Sequence, residues 1–182
     1  MPRSDQSQTA ILGALSIMPM TGYALREQIR DTLGHFWNES FGQIYPTLAQ
    51  LEQQNLVERQ PSDGSRSTTF GITAAGITRL RELLAEPPQE PKPRNGLMLR
   101  LFFGAQLGPD ACRDLVLDAL EQAEAQLAEL EATRQDLITD AALAEAAPYI
   151  ALTISAGEHS ARATIAWANE ALAELAELGS TA

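Results

Sequence analysis

A chain of 182 residues with 24 Asp and Glu against 13 Lys and Arg carries a formal charge of −11. That balance excludes an indiscriminate polyanion binder but leaves room for a specific one whose reading face is locally neutral or basic. The single cysteine, Cys112, excludes an internal disulfide and has no metal-ligating neighbour in sequence, so a buried bystander is its expected role.

The first apolar stripe, Ile11, Leu12 and Leu15, predicts a short helix that breaks at Met18-Pro19. Thr21 then reads as the N-cap of a second helix with Tyr23, Leu25, Ile29 and Leu33 as its apolar positions and Gly34 as its stop. In SFGQIYPTLAQLEQQ, Phe41, Ile44, Leu48 and Leu51 recur every three or four residues, which predicts a third helix with one core face. Gln43, Pro46, Ala49, Gln50 and Gln53 fall opposite, joined by the Thr47 hydroxyl and the flanking Tyr45 phenol. Pro46 has no N–H to donate, so it fits only in the first turn and places the helix start near Gln43 or Ile44. The outer face is therefore short, uncharged and rich in hydrogen-bonding groups.

NLVERQ and STTFGIT are strand-like runs joined by the turn formers PSDGSR, a hairpin with a longer loop. Thr73 caps a fourth helix from Ala74 to about Leu84. Three helices, a hairpin and a helix, with the third helix running almost directly into the hairpin, is the order of a winged helix-turn-helix.

AEPPQEPKPRNG is the Pro-dense stretch where helical periodicity lapses, and it reads as a linker. It also divides the charge: seven Lys and Arg against nine Asp and Glu up to Glu86, six against fifteen beyond it. The expected organisation is a DNA-binding domain over 1–86, a linker over 87–96 and a helical domain over 97–182. From Pro109, Val116, Leu120, Ala123, Leu127 and Leu130 mark a heptad seam, interrupted at Arg134 and resumed at Leu137. After Pro148 the same rhythm runs through Ile150, Ile154, Gly157, Ala161, Thr164, Ala168, Ala171, Leu175 and Leu178. Neither seam is wide enough to be satisfied by one partner, so a helical hairpin packed against a second copy of the chain is expected.

ILGALSIMPMTGYALREQI, GQIYPTLAQLEQQNLVE and FGITAAGITRL together resemble the PadR-like transcriptional regulators, over about residues 10 to 85. LMLRLFFGAQL, residues 97 to 107, is similar to the start of the helical C-terminal domain in the longer members. The resemblance implies a dimeric repressor whose helical tail supplies the dimer and often a small-molecule pocket. The chain departs from the family at the wing: where members often carry a basic, aromatic strand, it has Ser67-Thr68-Thr69-Phe70, with Arg66 before it and Arg59 on the other strand.

The expected fold is thus mainly α, with an N-terminal winged helix-turn-helix and a coiled-coil-like helical tail. Double-stranded DNA is the expected partner, contacted by Gln43, Tyr45, Pro46, Thr47 and Gln50 from the third helix and by Arg59, Arg66, Ser67 and Thr68 from the wing. Gln pairs in a bidentate way with adenine and Thr touches a thymine methyl, while Tyr45, the helix N-terminus, Arg59 and Arg66 suit phosphates. Trp37, Phe102 and Trp167 are candidate linings for a small aromatic effector. His35 and His159 lie far apart without the residues of a triad or metal site, and no Gly-rich phosphate loop is present, so no enzyme, metal or cofactor is expected. MPRSDQSQ lacks the apolar core of a signal peptide, and no run reaches the roughly 18–20 apolar residues of a membrane span, so a cytoplasmic protein with no membrane partner is expected. A protein-protein adaptor built on the same fold is the alternative; long apolar side chains in place of the amides at 43 to 50 would favour it.

Overall fold

The computed structural model of the chain describes residues 3–33, 41–60, 68–88, 95–139 and 143–180. They form two compact units, Met1–Pro91 and Lys92–Ala182. The fold class is the one expected: mainly helical, a winged helix-turn-helix with a small antiparallel sheet, followed by a helical unit.

In the first unit α1 (Arg3–Ile17) is followed by β1 (Met20–Thr21) and α2 (Gly22–Leu33). A 3-10 turn, Phe41–Gln43, leads into α3 (Ile44–Gln53), then β2 (Val57–Gln60), β3 (Thr69–Ile72) and α4 (Ala74–Ala85). The core gathers one face of each helix around Leu12, Leu25, Ile44, Leu51 and Leu83, with Val57 from the sheet. Fully burying each such side chain contributes about 1.5–3 kcal/mol.

Three local expectations are corrected. The first helix is longer than its apolar stripe: it starts at Arg3, and Ser7 and Gln8 are buried in its early turns. Tyr23 is not a core position; it is 64% exposed, while Leu25 and Ile29 bury the inner face of α2. The sheet has a third strand, because β1 pairs antiparallel with β3 through Met20↔Phe70 and Thr21↔Thr69, giving the order β1-β3-β2. Thr21 therefore ends a strand and also caps α2, its Oγ1 accepting from Ala24 N at 3.1 Å. Gly34, Phe36, Trp37 and the whole PSDGSR turn lie outside the described residues, as do residues 89–94 of the linker.

The passage from α3 to β2 is the tightest part of this unit. Asn55 takes φ 57°, the left-handed conformation Asn tolerates better than most residues. Its N–H reaches Glu52 O at 2.9 Å and the Leu56 N–H reaches Leu51 O at 2.9 Å, the paired bonds of a Schellman closure. The Leu56 carbonyl then accepts from Thr73 N at 3.1 Å, the Thr73 hydroxyl is shared between Asn55 O at 2.8 Å and Leu56 O at 3.1 Å, and Thr73 Oγ1 in turn accepts from Gly76 N at 3.0 Å. A side chain at Gly76 would collide with the Leu56 carbonyl, so only glycine lets α4 start this close to the corner.

In the second unit Asn95 caps α5 (Gly96–Phe102), its side chain accepting from Leu97 N and Met98 N. A 3-10 turn, Gly104–Gln106, and Gly108 at φ 84° lead to α6 (Pro109–Thr139). A short turn returns the chain as α7 (Ala147–Ser180), which packs antiparallel on α6. The buried positions keep a seven-residue step: Val116, Ala123, Leu130 and Leu137 on α6, Ile154, Ala161 and Ala168 on α7. Cys112 is also buried, its thiol 3.7 Å from Gly104 O.

The break in the seam at Arg134 proves to be an ion pair rather than a gap in the helix. Arg134 Nε donates to Glu158 Oε1 at 2.7 Å, and Arg162 Nη1 approaches Glu158 Oε2 at 3.4 Å. Glu158, 6% exposed, takes the seam position that the sequence pattern gives to Gly157. A carboxylate there is tolerable only because two guanidiniums meet it.

Two outcomes are expected. Gly76→Ala must push α4 off the corner, since a backbone carbonyl cannot swing aside as a side-chain tip can; it should cost about 1–3 kcal/mol, read as a lower melting temperature, and an unchanged one would contradict the packing. The hydrogen bond from Arg134 holds the Glu158 carboxyl below its ordinary value of 4.5, with Arg162 helping and burial opposing. Its folded value is lower than its unfolded one, so the stabilisation is complete above the ordinary value and lost as pH falls through the depressed one. Melting temperature should therefore fall more steeply between about pH 5 and 3 in the unmutated chain than in Glu158→Gln, which should start lower at neutral pH; parallel curves would contradict the pairing.

Candidate nucleic-acid interface

α3 begins where Pro46 demands. With Ile44 first in the helix, Pro46 is third, among the positions whose N–H groups have no intrahelical acceptor. Gln43 adopts helical backbone angles without a side-chain cap, because the 3-10 turn before it already winds the chain. Ile44, Leu48 and Leu51 are buried, and Gln43, Tyr45, Pro46, Ala49, Gln50 and Gln53 are exposed.

Thr47 is corrected: it is only 8% exposed and lies with the core stripe, not on the outer face. The reason is angular. A residue three after Ile44 and four before Leu51 sits on the same side of a 3.6-residue helix, whatever its polarity. Tyr45 is 54% exposed, yet its ring is seated across the start of α2, where a side chain at Gly22 would come within 2.7 Å of Tyr45 Cε1. The absence of a Cβ at Gly22 thus lets the phenol rest at the junction of the two helices.

The wing strands pair in register Val57↔Ile72, Glu58↔Gly71, Arg59↔Phe70 and Gln60↔Thr69. Arg59 is not a loose cation. Its Nε donates to Glu52 Oε1 at 2.6 Å and its Nη2 to Glu52 Oε2 at 3.0 Å, while the guanidinium lies 5.7 Å over the Phe70 ring. That hydrogen bond holds the Glu52 carboxyl below its usual range. Thr68 is exposed just before β3, and Arg66 and Ser67 lie outside the described residues.

Of the aromatic candidates, the two described residues lie on the second unit. Trp37 is outside the described residues; Phe102 is 82% exposed with its ring edge-on to Phe103 at 5.1 Å; Trp167 is half-buried on α7. A hollow of about 520 Å³ on the α6–α7 pair is lined by Glu131, Ala132, Arg134, Gln135, Glu158 and Arg162, all but one of them polar and none of them aromatic. Among the described residues no group of three His, Cys, Asp or Glu converges on a point, and no helix is long and apolar enough to cross a membrane.

Comparison with known proteins covers both units. Residues 11–82 match the family described as the transcriptional regulator PadR-like family, and residues 93–176 match the family described as virulence activator alpha C-term. Over 136 residues the chain is 27% identical to the negative transcriptional regulator PadR of Bacillus subtilis (strain 168), covering 72% of this chain and 75% of that one. The PadR-like transcriptional regulator BC1756 of Bacillus cereus has the same fold at a TM-score of 0.81 and 23% identity, over 94% of this chain and 98% of that one. Bacillus subtilis PadR in complex with operator DNA gives 0.77 at 22% identity, over 92% and 98% of the two chains. The same protein in complex with p-coumaric acid gives 0.74 at 22%, over 92% and 97%.

Proposed function

As the chain belongs to the PadR-like family of transcriptional regulators, we propose that it is a repressor that binds operator DNA as a homodimer, acts in the cytoplasm and is released by a small aromatic effector. The observation that carries this reading is the outer face of α3. It offers amides at Gln43 and Gln50, a phenol at Tyr45 and no charge, on a helix fixed at its C-terminal end by the Asn55 corner. Such a face has little to gain from solvent-exposed ion pairs and much from base edges in a major groove, where Gln pairs with adenine. Tyr45 and Pro46 at the first turn would lie along the sugar-phosphate backbone, and Arg66, Ser67 and Thr68 would meet it from the wing.

The dimer is proposed through residues 97–182. Leu99, Phe102, Phe103, Leu107, Leu117 and Leu178 are exposed, and Leu120, Leu127 and Leu175 only half-buried, after α6 and α7 have covered one another. Apolar surface on that scale calls for a second copy. Phe102 and Trp167 are the effector residues proposed in this unit; the p-coumaric acid complex of the Bacillus subtilis relative supports the class of molecule.

Gel shifts with DNA flanking the chain's own coding region separate this reading from the adaptor alternative, which predicts no shift. Gln50→Ala should relax preference at one base pair of each half-site, at a cost of about 1–3 kcal/mol against the best base, and should leave the salt dependence nearly intact. Unchanged base preferences would remove α3 from the bases. Light scattering should give twice the mass of the chain at micromolar concentration, and Leu127→Asp should shift it toward monomer or unfold the tail by burying a carboxylate without a partner. A monomeric unmutated chain would contradict the dimer.

A further inference from the structure

Glu52 and Arg59 are seven residues apart, yet the Asn55 corner folds β2 back so that their forks meet in two bonds of 2.6 and 3.0 Å. The pair is poorly explained as a source of stability. Their side chains are 30% and 61% exposed, so solvent screens what the pair adds to folding, while its bidentate geometry still fixes where the guanidinium sits. Glu52 also stands in the last turn of α3, where the helix dipole disfavours a carboxylate. Toward phosphate it is adverse again, for it adds a negative charge on the flank of the reading face beside Tyr45 and cancels a guanidinium that a phosphate would otherwise attract. A residue unfavourable to the helix and to generic DNA affinity calls for another reason to be there.

Resting on the DNA-binding reading above, we infer that Glu52 is a specificity-determining residue: it holds Arg59 against α3 and Phe70, away from the sugar-phosphate backbone, so that binding depends on the bases α3 reads. The guanidinium is engaged on both sides, with the carboxylate at its fork and the Phe70 ring beneath it. Released, it would sit on the wing strand nearest α3 and take a phosphate on any sequence. Phosphate contacts supply affinity without sequence information, so masking one lowers non-specific binding more than specific binding. Discrimination here comes from withholding an attractive contact.

The test compares Glu52→Gln, Arg59→Gln, the double variant and the unmutated chain on operator and scrambled duplexes over a salt series, with melting curves for each. Glu52→Gln should tighten binding to scrambled DNA more than to operator, and each freed Arg59 should add about 0.9 to the slope of log K against log[salt]. With two wings per dimer that is about 2, or about tenfold more affinity lost between about 50 and 200 mM salt than in the unmutated chain. Arg59→Gln should keep the unmutated slope, and the double variant should return to it. A brace holding the wing behaves differently: both single variants would then weaken binding together and lower the melting temperature together, which would overturn the inference, as would an unchanged slope in Glu52→Gln. A folded unmutated chain that binds no operator overturns the DNA reading itself, and the role of Glu52 with it.

Discussion

The first unit depends on one carbonyl. At Leu56 the chain has just left α3, and its C=O accepts from both the backbone and the hydroxyl of Thr73, while Gly76 passes close enough that no side chain would fit. Three requirements meet there: α3 must end, β2 must begin, and α4 must pack against both. The left-handed Asn55 satisfies the first two by turning the chain within two residues and closing the last carbonyls of the helix. Thr73 satisfies the third, serving as N-cap to α4 and as the bolt that fastens it to the corner. The outer face of α3 is presented at a fixed angle to the wing because no loop separates them.

The same corner creates the meeting of Glu52 and Arg59. A one-residue slip in the closure would carry Arg59 to the other face of β2, since strand side chains alternate. The register that seats Val57 in the core is thus the register that brings Arg59 to Glu52. Packing and the electrostatics of the reading face are set by one turn.

The second unit solves a different problem with sparse material. Its buried heptad positions on α7 are Ile154, Ala161 and Ala168, and the two alanines let α6 approach closely but contribute little burial. A pair of helices held by so narrow a seam gains direction from Arg134 and Glu158, whose match fixes the axial register that alanines leave loose. Leucines and phenylalanines left outside the seam are the apolar surface on which the proposed second copy would pack.

Signals confined to a few residues were legible in the sequence. Pro46 locates the start of α3, and Thr21 and Thr73 are recognisable as caps because a hydroxyl before a helical stripe acts on the next two or three N–H groups. Whatever depended on a distant partner was not. β1 is two residues long and exists only because β3 lies beside it. Glu158 makes sense at a seam position only once Arg134, twenty-four residues earlier, is opposite it. Thr47 and Tyr23 depart for a subtler reason: chemical type suggests a hydroxyl outside and a ring inside, whereas angular position on the helix sets the reverse. Of the outer face of α3, the amides and the phenol were legible; the pairing of Arg59 with Glu52 was not, since it arises from the fold.

The claim on which all of this turns is that α3 enters the major groove with its amides toward the bases. Methylation protection on the operator tests it directly, because guanine N7 opens into the major groove and adenine N3 into the minor. Protection of N7 in two symmetric patches about one helical turn apart, with adenine N3 between them left reactive, is the result expected. Protection confined to N3, or none at either atom in a DNA-bound complex, would contradict it.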